Sequence, residues 1–139
     1  MWDTRGRKTF YRTPREGESG WGSCLPNGEQ RELLEVTTIT IDEFVSTEKL
    51  VQVDLIKLDI EGAEGRCLFG AKSTLQVFRP IIVLEANPIC LARDALTTAD
   101  LVNRLQAHDY QVGWLQSDTI IACPKERNDL KNQLKRILK

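Results

Sequence analysis

The chain has 139 residues, of which 41% are hydrophobic and 28% charged, with a formal net charge of −1. That length suffices for one domain with its own core, and the composition excludes collagenous, low-complexity and wholly disordered chains. The near-neutral balance argues against a nucleic-acid binder. No apolar run approaches the roughly 18 residues that span a bilayer, and the start MWDTRGRKTFYR has no apolar signal core.

Lys8–Arg12 reads as a short strand. Residues 13–30 hold four glycines and two prolines among small polar residues, which is loop chemistry. EVTTITI over Glu35–Ile41 is β-branched and reads as a strand. Asp42 follows it, placed to cap a helix over 43–49 with its side-chain oxygen. The mostly apolar DLIKLDI of Asp54–Ile60 predicts a strand covered on both faces.

Ala63–Phe78 has helical spacing, with Leu68, Leu75 and Phe78 on one side and Gly70 as a break. Arg79-Pro80 ends it, because the residue before proline is pushed out of the helical region. Pro80–Glu85 is a second buried strand, Asn87-Pro88 a turn, and Thr98–Ala107 a helix. Tyr110–Leu115 and Thr119–Cys123 are strands joined by a hairpin turn over 116–118. Lys125–Leu138 predicts an amphipathic helix with Leu130, Leu134, Ile137 and Leu138 on one stripe, suited to packing on a sheet rather than lying on a membrane. This order predicts an α/β fold with parallel strands and one antiparallel insertion.

Cys24, Cys67, Cys90 and Cys123 lack the close spacing of a zinc or redox motif and read as reduced thiols of a cytoplasmic protein. Residues 1–16 and 125–139 are basic and the middle acidic, a pattern read as solvated surface. His108 falls near a helix C-terminus, where its role is structural. Trp114 reads as core, and Trp21, between glycines, as surface packing.

Ligands of open parallel sheets bind at the carboxyl ends of the strands. The strand 54–60 ends at Asp59, followed by Glu61-Gly62-Ala63-Glu64; the neighbouring strand ends at Glu85. Alternation places Leu55, Lys57 and Asp59 on one face. A lysine and several carboxylates therefore converge on one sheet edge. A lysine buried in such a run demands a carboxylate partner, Asp59 or Glu85. Two readings stay open: a structural ion pair with acids favoured by a helix N-terminus, or a general base or hard-metal site. Glu64, in the helix's first turn, is best explained by structure.

TITIDEF, then VDLIKLDIEGAEGRCLFGA, then RPIIVLEANP, spanning about Val36–Pro88, resembles the FkbM-like family of S-adenosylmethionine-dependent methyltransferases. The later IIACPKE fits as well. The resemblance implies a partial Rossmann-like class I methyltransferase sheet: residues 1–34 form an N-terminal arm and loop, and 35–139 the C-terminal portion of the domain. It implies O-methylation of a hydroxyl on a sugar or natural product, with a small-molecule or glycan acceptor. Lys57, Asp59, Glu61 and Glu85 carry over as the acceptor-side catalytic set, Asp59 first as the group that deprotonates or orients the hydroxyl.

The family holds its cofactor with an earlier strand, a glycine-rich turn and a ribose-binding acid, and no counterpart stands in this chain. Gly17–Gly22 lies in a loop without a preceding buried strand. The expectation is a methyltransferase portion that does not bind S-adenosylmethionine alone or, alternatively, a non-catalytic remnant serving as a binding or assembly module. Either way the outer edge of strand 54–60 is left open, to be covered by the N-terminal arm or by a second copy of the chain, or else the isolated chain aggregates.

Overall fold

The computed structural model of the protein describes residues 1–12, 22–26 and 32–127. Two sheets organise them. The first is three-stranded and antiparallel, in the order β2-β1-β3, from β1 (Gly6–Arg12), β2 (Gly22–Ser23) and β3 (Glu32–Thr38). β1 and β3 pair along their whole length, from Gly6 opposite Thr38 to Arg12 opposite Glu32. The second sheet has the order β4-β5-β7-β6, with β4 (Leu55–Leu58) parallel to β5 (Ile81–Glu85), and β7 (Thr119–Pro124) antiparallel to both β5 and β6 (Tyr110–Trp114). This mixed sheet with its flanking helices has the parallel strands and antiparallel insertion that the element order predicts, and is consistent with the partial Rossmann-like arrangement that the family resemblance implies.

The strand over 35–41 stops at Thr38, because Thr40 accepts a hydrogen bond from the Glu43 amide at 2.9 Å and opens α1 (Ile41–Thr47). Asp42 therefore does not cap its own helix. Its carboxylate accepts from the Ser73 and Thr74 amides at 2.8 and 2.7 Å and from the Thr74 hydroxyl at 2.6 Å, capping α3 (Lys72–Val77) across space. The predicted 63–78 helix divides at Gly70 into α2 (Glu64–Phe69) and α3. At Gly70 a Cβ would meet the Trp2 carbonyl oxygen at 2.3 Å, so the N-terminal segment crosses where only glycine fits.

Asn87 caps α4 (Pro88–Leu91), proline standing in the first turn where its missing N–H costs nothing. A 3₁₀ turn over Ala92–Asp94 leads to α5 (Thr98–Ala107), which matches the predicted span and opens on a capping box between Thr97 and Asp100. His108 is its C-terminal cap. Of the predicted helix over 125–138, residues 125–127 form a turn and the remainder lies outside the described residues, as does Trp21.

The main core joins one face of the second sheet to the helices. Leu58, Ile82, Leu84, Ile120, Ala122 and Tyr110 meet Ile41 and Val45 of α1, Cys67 and Leu68 of α2, Leu75 of α3, Leu91 of α4, and Leu101 and Leu105 of α5. Each such side chain, fully buried, contributes roughly 1.5–3 kcal/mol. Trp2, Leu25 and Ala63 form a smaller cluster that ties the first sheet down. There Arg66 bridges Asp3 and Asp94, and its guanidinium lies 5.9 Å from the Trp2 ring centre.

Three expectations need correction. Lys57 is not buried: among the described strands β4 is an end strand, and the Lys57 side chain is 68% exposed. Trp114 lies on β6, the opposite end strand, and is 48% exposed rather than core. Among the described residues of the N-terminal arm none pairs with the outer edge of β4; β1 and β3 pair with each other instead. The four cysteines form no disulfide, as expected, and burial pushes the Cys67 thiol up to about 11.

Candidate functional site

The carboxyl ends of β4 and β5 carry the chemistry. After Leu58 the chain turns through Asp59–Ala63 into α2, and two residues of that turn have positive φ, Glu61 at 56° and Gly62 at 101°. A Cβ on Gly62 would stand 2.2 Å from the Cys90 carbonyl oxygen, so the turn requires glycine for both conformation and closeness. Glu64, 1% exposed, reaches back to accept from the Ile60 amide at 2.9 Å. Burial raises its pKa, with that hydrogen bond opposing. Its place is structural, as expected for a first-turn acid that closes the turn.

Glu61 is held at both its backbone and its side chain. Its carbonyl accepts from the Ser23 hydroxyl at 3.0 Å and from Arg93 Nη1 at 3.4 Å, while its carboxylate accepts from the Cys90 thiol at 3.4 Å. Burial, and then that bond to Glu61, push the Cys90 thiol up to about 11. Asp59 is 54% exposed and pairs with Lys57 at 3.0 Å.

Among the described residues, Glu85, at the end of β5, makes no ion pair. Burial, followed by the negative charges of Glu61, Asp59, Glu64 and Asp118, pushes its carboxyl up to about 7. Oxygens of Asp59, Glu61 and Glu85 lie within 4.8 Å of one another, an all-oxygen donor set of the kind hard divalent cations use.

A cavity of about 320 Å³ opens at this edge, lined by Lys57, Asp59, Glu85, Gln116, Asp118 and Thr119 among others. The four predicted residues are thus brought together: Lys57, Asp59 and Glu85 on the cavity wall, and Glu61 against Asp59 and Glu85. The residues that sequence reasoning missed are Gln116, Asp118 and Thr119. Their only sequence signal was a hairpin turn; what places them here is the return of β7 beside β5, with Thr119 opposite Glu85 and the Ala86 amide donating to the Asp118 carbonyl at 2.6 Å. A second hollow, at the opposite end of the sheet around Arg79, His108 and Glu126, is far from these strand ends.

Among the described residues, Gly22 and Gly62 do not form a nucleotide cradle. Such a cradle needs a glycine turn between a sheet strand and a helix N-terminus, open toward the ligand. Gly22 lies in the first sheet, where a Cβ would stand 2.2 Å from the Phe10 ring, and Gly62 is packed on Cys90. Neither of these two glycines offers S-adenosylmethionine such a turn.

A mixed sheet flanked by helices, with acids gathered beyond its parallel strand ends, is consistent with a partial Rossmann-like methyltransferase fold. A family model described as a methyltransferase FkbM domain matches residues 2–112, and the chain belongs to that family. The match extends on both sides of the 36–88 stretch whose motifs signal it in the sequence, and takes in the first sheet. No curated protein and no solved structure matches the chain. No described helix is long and apolar enough to cross a membrane.

Proposed function

We propose that this chain carries the acceptor side of an S-adenosylmethionine-dependent O-methyltransferase, with the cofactor held by residues other than the described ones. The acceptor is a small molecule or glycan presenting a hydroxyl to the cavity at the ends of β4 and β5. The observation that carries this reading is Glu85, a carboxyl raised to about 7 at the cavity wall. A general base works best when its pKa lies near the working pH. Glu85 takes the hydroxyl proton as the acceptor oxygen becomes nucleophilic. Asp59, oriented by Lys57, and Glu61, oriented by Cys90, accept hydrogen bonds from neighbouring hydroxyls and set the angle of attack. The reduced thiols suit a cytoplasmic location.

A ¹³C NMR titration of the Glu85 carboxyl tests the assignment. The expected midpoint is near 7, falling in Glu61→Gln as one repelling charge is removed; a midpoint at the ordinary 4.5 would remove the base. Calorimetry with S-adenosylmethionine tests the division of labour: no binding is expected, and binding at micromolar strength would overturn it.

A second reading, a non-catalytic assembly module, is favoured by the outer edge of β4, which no described strand pairs. It predicts stable self-association in light scattering.

A further inference from the structure

The turn that carries Glu61 is not the one its sequence favours. The Ala63 amide donates to the Ile60 carbonyl at 3.5 Å, and both central residues, Glu61 and Gly62, have positive φ. That is the mark of a type I′ turn, whose first central position favours Asn, Asp or Gly. Glu-Gly suits a type II turn instead, with negative φ at the first central residue and glycine at the second. A residue with a long side chain stays in the left-handed region only where its surroundings hold it there.

Those surroundings come largely from the first sheet. Ser23 of β2, 1% exposed, donates its hydroxyl to the Glu61 carbonyl at 3.0 Å and accepts from the Leu25 amide at 3.1 Å. Cys24 and Leu25, next along the chain, belong to the same apolar cluster as Ile60 and Ala63, which flank the Glu61-Gly62 pair. Ser23 also stands opposite Tyr11 in the ladder with β1, which fixes the register of its hydroxyl. Arg93 Nη1 reaches the same carbonyl at 3.4 Å, the longer of the two bonds. We propose that Ser23 is a positioning residue: through the Glu61 carbonyl, β2 holds Glu61 in the left-handed conformation that keeps its carboxylate beside Asp59 and Glu85. The first sheet thereby acts on the candidate site, although its described residues do not line the cavity. The catalytic meaning of this contact rests on the acceptor-site reading; the hold on the turn does not.

NMR of the full chain tests the hold. A positive φ brings a residue's own amide and α protons close together, so Glu61 is expected to give a strong NOE between them. Ser23→Ala is expected to lose that signal as Glu61 relaxes to negative φ, whereas Ser23→Thr, which keeps the hydroxyl, retains it. A serine that served stability alone would lower the melting temperature of Ser23→Ala and leave the NOE in place. That result, or a signal lost equally in Ser23→Thr, would overturn the proposal. Should Ser23→Ala not fold, the double variant Ser23→Ala with Glu61→Gly is expected to fold, because glycine takes the positive φ unaided. A double variant that still fails to fold would overturn the proposal too. The Glu85 midpoint of the parent is a separate measurement: at the ordinary 4.5 it removes the acceptor-site reading, while the Glu61 NOE still decides the role of Ser23.

Discussion

The two ends of the second sheet use charge in opposite ways. At the amino end of β5, Arg79 is matched on every side: Glu126 takes two of its hydrogens, the His108, Asp109 and Leu75 carbonyls take others, and its guanidinium lies 4.8 Å from the Tyr110 ring centre. Glu126 is accordingly held down at about 2. At the carboxyl end, Glu85 faces Glu61, Asp59 and Asp118, makes no ion pair among the described residues, and rises to about 7. Matched charge marks an end built to hold the fold. Charge unmatched within the described residues is the pattern that the proposed acceptor site would use.

The largest effect expected at the carboxyl end comes from backbone rather than charge. Gly62→Ala places a Cβ against the Cys90 carbonyl at a φ that alanine avoids. A loss of roughly 3 kcal/mol or more is expected in urea unfolding, given strain of about 1–3 kcal/mol for such a conformation plus the clash. A loss below about 1 kcal/mol would mean that the turn relaxes freely. At the amino end, Arg79→Met removes a donor from the Leu75, His108 and Asp109 carbonyls and from Glu126, of which the Asp109 carbonyl keeps the Lys125 amide. Bonds to charged groups are worth about 1.5–3 kcal/mol, but this site is partly exposed, so a loss of roughly 2 kcal/mol is expected. An unchanged midpoint would show that water replaces the guanidinium at no cost.

The pH dependence of the two ends should run in opposite directions. Glu85 holds its proton more tightly in the fold than its ordinary 4.5, so its contribution to stability is complete below about pH 4.5 and is lost as pH rises toward 7. Glu126 is depressed, so its contribution is present above about 4.5 and lost as pH falls toward 2. Melts of Glu85→Gln should lose the decline between pH 4.5 and 7, and those of Arg79→Met the acid-side decline. A Glu85→Gln profile that still tracks the parent through that window would assign the slope to another group.

Local chemistry made much of this legible in the sequence. Thr98–Ala107 carries its own cap, Gly70 breaks its helix where a crossing segment needs room, and the Asp59, Glu61 and Glu85 cluster follows from strand ends alone. Partnerships set by distant chain were not legible. Asp42 looks like a cap for the helix it begins, but Thr40 reaches that helix first, and the Asp42 carboxylate serves α3, thirty residues away. Gln116 and Asp118 join the cavity only because β7 inserts beside β5. Lys57 has the flanks of a buried residue; what exposes it is its strand's position at the end of the sheet, which local pattern does not encode.

That position also sets the smallest expected effect. Lys57 and Asp59 bond at 3.0 Å, but both are more than half exposed, and pairs of this kind contribute about 0–1 kcal/mol. Lys57→Met should therefore cost less than about 1 kcal/mol in thermal or urea unfolding, far below Arg79→Met. Its larger consequence is electrostatic: with the one lysine among the described residues of the cavity wall removed, the field at Glu85 becomes more negative and its midpoint should move above 7. A large stability loss with a fixed Glu85 midpoint would make Lys57 a structural residue and return the strand end to the ordinary ion-pair chemistry of the opposite one.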